Sequence, residues 1–108
     1  DGVEPYPDLV PLELDLPPNV AYVAALAAAR AMPLWRIAAE DPVARRIAAE
    51  ATTPRMKFVD DVEIVVEPVG AGSRVRVGST SRVGITDFGT NARRVRAYLS
   101  RLATNAPA

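Results

Sequence analysis

The chain contains neither cysteine nor histidine, and Lys57 is its only lysine. Without cysteine it can form no disulfide and offers no thiol nucleophile or thiolate metal ligand. Without histidine it lacks the most common general base and an important metal ligand. No apolar run approaches the roughly 20 residues that a membrane-spanning helix needs. We therefore predict neither a metal site nor a cofactor, and the composition disfavours catalysis.

The 108 residues are 49% hydrophobic and 24% charged, which is typical of one globular domain. Thirteen basic and thirteen acidic residues give a net charge of zero, which argues against a nucleic-acid partner. The charge is uneven, because the first half is acidic and the second half is basic. Since the chain begins with Asp1, we expect it to be a processed or truncated piece.

Proline and alternation patterns divide the chain. Three prolines predict an extended, proline-rich arm over residues 1–11, followed by a single domain over 12–103 and a tail over 104–108. The segment LELDL alternates like a short strand. Asn19 is then predicted to cap a helix from Val20 to about Met32, which Pro33 ends.

Four further strands and a long helix follow. The first, LWRIAAE, places Trp35, Ile37 and Ala39 on one face. The next, RRIAAEATT, also has helix-forming residues, but its alternation and closing ATTP favour a strand. DDVEIVVEP and SRVRVGSTS come after it. From residue 87 onward a helix is predicted whose apolar face contains Phe88, Ala92, Val95, Leu99 and Leu102.

This order of elements, β-α-β-β-β-β-α, predicts a two-layer α+β domain. Short connections between consecutive strands favour a mostly antiparallel sheet of four to five strands. Two helices must cover one face of that sheet. The arrangement is similar to a reduced helix-grip fold, in which a curved sheet wraps a C-terminal helix.

The last two strands can be registered by placing residues 69–72 in the turn. Glu67 then lies opposite Arg74 on the outer face, and Asp60 lies opposite Ser81 on the inner face. The final helix must begin over this end of the sheet. We therefore predict one polar cluster, whose members would satisfy each other's hydrogen bonds: Asp60, Ser79, Ser81, Arg82, Asp87 and Asn91.

Two segments, FVDDVEIVVEP and GSTSRVGITDFGTNARRVRAYLSRL, resemble the uncharacterised bacterial family named domain of unknown function 1499. Members carry a Phe-x-Asp-Asp strand and then Ser-Arg-x-Gly-x-x-Asp-(Leu/Phe)-Gly-x-Asn-x-x-Arg. This sequence has Gly78 where the family commonly has a second arginine. The resemblance covers nearly the whole chain and implies a domain that is often attached to membrane segments, but it brings no assigned activity.

The predicted cluster has a structural interpretation and a functional one. In the structural one, Asp87 or Thr86 caps the final helix and Arg82 pairs with a carboxylate. In the functional one, Arg82, the serine hydroxyls and the helix amides bind an anion or support a small enzyme. Asp60 and Asp61 cannot converge on one substrate, since neighbouring strand residues face opposite sides. We favour the structural interpretation.

The remaining expectations concern partners. The basic helix face, formed by Arg93, Arg94, Arg96 and Arg101, is expected to be solvated, with an anionic lipid surface or an acidic protein as the alternative. Trp35, Met56 and Phe58 are expected in the core, or lining a groove between sheet and helix. The function that follows is a non-catalytic binding or accessory module with a protein partner or a small amphipathic ligand. We expect a membrane-associated or periplasmic location, with a cytoplasmic one as the alternative.

Overall fold

The computed structural model describes residues 11–82 and 88–106. Its elements follow the predicted order: β1 (Leu12–Leu14), α1 (Pro18–Ala31), β2 (Trp35–Asp41), β3 (Arg46–Thr52), β4 (Val59–Val69), β5 (Gly72–Ser81) and α2 (Phe88–Asn105). The segment RRIAAEATT is a strand, as its alternation indicated. The helix α2 continues to Asn105 and so includes the first two residues of the expected tail. Most of the expected N-terminal arm lies outside the described residues.

The five strands form one antiparallel sheet in the order β1-β5-β4-β3-β2. Both helices pack on the same face, which confirms the two-layer α+β prediction. The predicted register of β4 against β5 is also confirmed, with Asp60 opposite Ser81 and Glu67 opposite Arg74. However, Arg74 forms its short ion pair with Glu13 on the neighbouring strand β1, where Arg74 Nε lies 2.7 Å from Glu13 Oε2. This pair raises the pKa of Arg74, with a smaller contribution from Glu67.

The start of α1 differs from the prediction that Asn19 caps it. The helix begins at Pro18, with Pro17 in the capping position and no side-chain cap. Proline is favoured in the first helical turn because its fixed φ suits the helix and its missing N–H would be unpaired there. The Pro17 carbonyl accepts the first helical bond, from the Ala21 N–H at 2.9 Å. The prolines that end β1 therefore also start α1.

The alternation predicted for β2 holds only for its first half. Ile37 pairs with Ala49 and Ala39 pairs with Ala48, so the strand has a bulge at residue 38. The extra residue turns Ala39 away from the core face, which corrects the prediction that Ala39 shares a face with Trp35 and Ile37. A bulge and charged side chains on this edge strand also discourage pairing with a further strand.

Small residues allow α1 to lie close to the sheet and to α2. Four alanines of α1 are buried against the sheet and α2. Tyr98 of α2 is fully buried, stacks on Trp35 with ring centroids 5.4 Å apart and donates its hydroxyl proton to the Ala25 carbonyl at 2.7 Å. Burial raises the pKa of Tyr98. The stacked rings of Trp35 and Tyr98 thus fill part of the space between the sheet and the helices.

Candidate functional site

A buried polar cluster lies between the sheet and the first turns of α2. Asp60 of β4 and Ser79 of β5 face inward and are buried, and Ser81 is half-buried. Asn91 of α2 is fully buried above them. The predicted register brings these four residues together, because alternate residues of paired strands share a face. Asp87, which we had also placed here, lies outside the described residues.

Asn91 connects α2 to β5 through its side-chain amide. Its Oδ1 accepts a hydrogen bond from Ser79 Oγ at 2.6 Å, and its Nδ2 donates to Ser81 Oγ at 3.1 Å. One side chain therefore fixes the start of α2 to two inward residues of β5. A buried amide that is bonded in this way stabilises one arrangement of helix and sheet, since any displacement leaves polar groups unpaired.

Arg94 completes the cluster, although the sequence analysis placed it on the solvated basic face. Its Nη1 lies 2.8 Å from Asp60 Oδ2, and only 11% of the Arg94 side chain and 4% of the Asp60 side chain are exposed. The same nitrogen lies 3.0 Å from Ser79 Oγ and 2.8 Å from Asn91 Oδ1. The cluster thus consists of Asp60, Ser79, Ser81, Asn91 and Arg94, with opposite charges balanced inside it.

Arg82 does not join this cluster, which corrects the prediction. It follows Ser81 on the strand, so its side chain points to the outer face of the sheet. There its Nη2 lies 2.7 Å from Asp61 Oδ1 and 2.8 Å from Glu50 Oε2, and its Nε also donates to Asp61. Arg36 binds the other oxygen of Glu50 at 2.6 Å. Arg82, followed by Arg36, lowers the pKa of Glu50, while Asp61 and then Glu50 raise the pKa of Arg82.

The other arginines of the basic helix face are exposed. Arg93 donates to Thr90 Oγ1 at 3.3 Å, and Arg101 donates to the Ala31 carbonyl, also at 3.3 Å. Arg96 is exposed as well. Arg101 also borders a shallow depression of about 410 Å³ on the outer side of α2, lined by Ala97, Ser100, Thr104 and Asn105. With Arg94 turned inward, the predicted face has three exposed arginines instead of four.

The chemistry available to the buried cluster is limited. Ser79 is bonded to Asn91 and Arg94, neither of which can act as the general base that a serine nucleophile needs. Asp60 is already paired with a guanidinium, and Asp61 lies on the opposite face. Among the described residues, no group of acidic side chains is arranged to hold a metal ion. The arrangement is suited to holding α2 on the sheet.

Met56 and Phe58 are exposed, which corrects the expectation that they belong to the core. They lie in the β3–β4 tip, defined as residues 53–58, and 66% of Met56 and 41% of Phe58 is exposed. The tip is a closed turn, because the Thr53 N–H donates to the Phe58 carbonyl at 2.8 Å and the Phe58 N–H donates to Thr53 Oγ1 at 2.9 Å. Trp35, the third residue of that expectation, is half-buried and packs against the core.

Solved structures with a similar fold are very different in sequence. The crystal structure of Ara h 8.0201 matches with a TM-score of 0.65 at 9% identity, covering 90% of this chain and 94% of that one. Protein CV1439 from Chromobacterium violaceum matches with a TM-score of 0.51 at 15% identity, covering 94% of this chain and all of the other. These likenesses confirm the predicted helix-grip, α+β fold.

Sequence comparison identifies the family. Comparison with curated proteins gives no match. No helix within the described ranges is long and apolar enough to cross a membrane. The model of one family matches residues 2–102, which includes both segments on which the resemblance was based. The chain therefore belongs to the family described as Protein of unknown function (DUF1499).

Proposed function

We propose that this chain is a non-catalytic binding module that works at a membrane and engages an amphipathic partner through its surface. The observation that carries the proposal is the burial and mutual bonding of the polar cluster. Asp60 and Arg94 neutralise each other beneath α2, and Ser79 and Asn91 are fully buried. These side chains stabilise the fold, and a ligand would have to displace α2 to reach them.

The anion-binding or enzymatic alternative depends on Arg82, and its contacts disfavour that alternative. The guanidinium is bonded to two carboxylates on the outer face. An incoming anion would have to replace Asp61 and Glu50, which are tethered and already correctly placed. Arg82 is therefore better explained as a cross-strand contact on the outer face than as a ligand-binding residue.

The groove expected between sheet and helix is not the binding surface in this proposal. Tyr98 and Leu102 of α2 are fully buried in the same core as Ile64 and Val75 of the sheet, so their side chains occupy this part of the space between sheet and helix. Apolar groups are exposed instead at one end of the sheet, at Leu34, Met56 and Phe58. Exposed apolar groups that lie together mark sites of association with proteins or membranes.

Native mass spectrometry of the chain, isolated in mild detergent together with its cellular neighbours, tests this function. We expect a stoichiometric lipid or protein adduct that is retained when Arg82 is replaced by glutamine. Arg82→Gln removes the charge that an anion site would require and leaves the buried cluster intact. Loss of the adduct in that variant, at an unchanged melting temperature, would contradict the proposal and support the anion site.

A further inference from the structure

The β3–β4 tip combines exposed apolar and basic side chains in consecutive positions. Arg55 and Lys57 alternate with Met56 and Phe58, and all four are exposed. Neither cation forms an ion pair within the described residues, whereas most of the outer-face arginines do. Unpaired cations beside exposed apolar groups suit a surface that is anionic at its boundary and apolar below it.

Leu34 enlarges this apolar surface from the neighbouring connection. It precedes β2, 56% of it is exposed, and its carbonyl accepts a hydrogen bond from the Thr52 N–H at 3.0 Å. That bond holds Leu34 beside the end of β3, from which the tip extends. Two separate connections therefore present apolar side chains at the same end of the sheet.

The backbone of the tip is already ordered for such a contact. The hydrogen bonds between residues 53 and 58 close the turn, and the Lys57 N–H donates to the Thr53 carbonyl at 3.1 Å. Lys57 has a φ of 59°, a left-handed conformation that turns the chain sharply between Met56 and Phe58. A preformed turn loses little conformational entropy when it binds.

The surrounding carboxylates do not cancel the positive charge of the tip. Asp60 is buried against Arg94, and Glu50 and Asp61 are both bonded to Arg82 on the outer face. The two cations of the tip therefore face solvent without a neutralising partner among the described residues. An anionic surface would supply one.

We propose that the β3–β4 tip inserts Met56 and Phe58 into the interface of an anionic lipid bilayer, while Arg55 and Lys57 contact the headgroups. This inference rests on the proposed function and names its partner and its contact residues. Each cation is expected to contribute about fivefold to the partition coefficient on anionic vesicles. The two apolar side chains together should contribute at least about tenfold. These contributions favour reversible association over permanent anchoring.

Vesicle sedimentation of the purified chain tests the proposal, with vesicles of equal parts phosphatidylglycerol and phosphatidylcholine against phosphatidylcholine alone. We expect binding to the anionic vesicles that weakens as salt is raised, since salt screens the cations. The pair M56S and F58S should abolish most of the binding, as should the pair R55Q and K57Q. All four positions are exposed, so these variants are expected to fold.

Two matched controls isolate the tip. Val43 is 88% exposed in the connection between β2 and β3, at the other end of the sheet, so V43S controls for loss of an apolar side chain. R93Q with R96Q removes two exposed charges from α2 and controls for net charge. Both controls are expected to bind as the unaltered chain does.

A fluorescence measurement reads insertion directly. A tryptophan introduced by Phe58→Trp should show a blue-shifted emission on anionic vesicles, whereas one introduced by Val43→Trp should not. Binding that survives the apolar tip substitutions but is lost in R93Q with R96Q would assign the contact to α2 and overturn the proposal. Failure of the unaltered chain to bind anionic vesicles would also overturn it. If native mass spectrometry still showed an adduct in that case, the proposed binding function would hold with a different partner.

Discussion

Replacing Arg94 by methionine tests whether the buried cluster stabilises the fold. The substitution keeps an unbranched apolar stem but removes the guanidinium that lies 2.8 Å from Asp60 Oδ2. Asp60, with 4% of its side chain exposed, would then be a buried carboxylate without its cation. Ser79 and Asn91 would also lose a donor.

Breaking a buried ion pair from one side typically costs about 3–5 kcal/mol. Because 11% of the Arg94 side chain reaches solvent, we expect the lower end, about 3 kcal/mol. For a domain of this size that loss corresponds to a fall in melting temperature of about 12 °C or more. Urea denaturation followed by circular dichroism measures the free energy of unfolding. An unchanged slope of this free energy against urea concentration would show that the unfolded state is not altered.

The matched control is Arg96→Met, two residues further along α2. Arg96 is exposed, so its replacement should change stability by less than about 0.5 kcal/mol. Combining Arg94→Met with Asp60→Asn should recover part of the loss, with a coupling energy of at least about 1 kcal/mol. A loss of stability in Arg94→Met as small as that in Arg96→Met would show that the cluster does not hold α2 on the sheet.

Three further predictions follow from single contacts. Gly72→Ala should destabilise the chain by about 1–3 kcal/mol in urea denaturation, since a Cβ there would lie 2.7 Å from the Leu14 carbonyl oxygen; unchanged stability would contradict the close approach of β1 and β5. Tyr98→Phe should cost about 1 kcal/mol by the same measurement, because it removes a buried hydrogen bond to α1. Arg82 lowers the pKa of Glu50, so the charged carboxylate stabilises the folded state above its usual pKa of 4.5, and that contribution is lost as the pH falls through the lowered value. Glu50→Gln should therefore weaken the fall in the free energy of unfolding at acidic pH. An unchanged dependence of that free energy on pH would argue against the ion pair in solution.

The register of the sheet could be predicted from the sequence because two constraints agreed. The turn at residues 69–72 placed apolar side chains on one face and opposite charges on the other. That register put Asp60 opposite Ser81, as the structure has it. Together with a final helix that begins over this end of the sheet, the register also predicts that Ser79 and Asn91 lie near each other.

Arg82 was misplaced although the relevant signal was present. The alternation that separates Asp60 from Asp61 also separates Ser81 from Arg82. Applied to both strands, it puts Arg82 and Asp61 on the outer face, where they form their ion pair. The direction of β5 still sets the side chain of Arg82, although the strand ends at Ser81.

Arg94 and Tyr98 were missed for a different reason. The apolar stripe predicted for α2 contains hydrophobic residues alone, whereas the buried positions among the helix residues whose burial the structure describes are Asn91, Val95, Tyr98 and Leu102. Asn91 and Arg94 are three residues apart and lie on this face. Arg94 can be buried because Asp60 in the sheet pairs with it, and Asn91 can be buried because Ser79 bonds to it. The sequence pattern of the helix alone does not show that these partners are present.

Met56 and Phe58 show the limit of composition as a guide to burial. Their residue types favour the core. The turn that closes residues 53–58 places them beyond the end of the sheet, where the described residues provide nothing to pack over them. The position of a turn, more than the hydrophobicity of its residues, decided their exposure.

We infer that the buried polar cluster of this chain holds the fold together, and we propose that binding takes place at the surface. The partition coefficient of a Ser79→Ala variant on anionic vesicles, measured where the variant remains folded, tests this claim most directly. Because Ser79 is fully buried in the cluster, we expect lower stability and the same partition coefficient as for the unaltered chain. A large loss of vesicle binding, with the fold intact, would contradict it and would make the cluster itself the functional site.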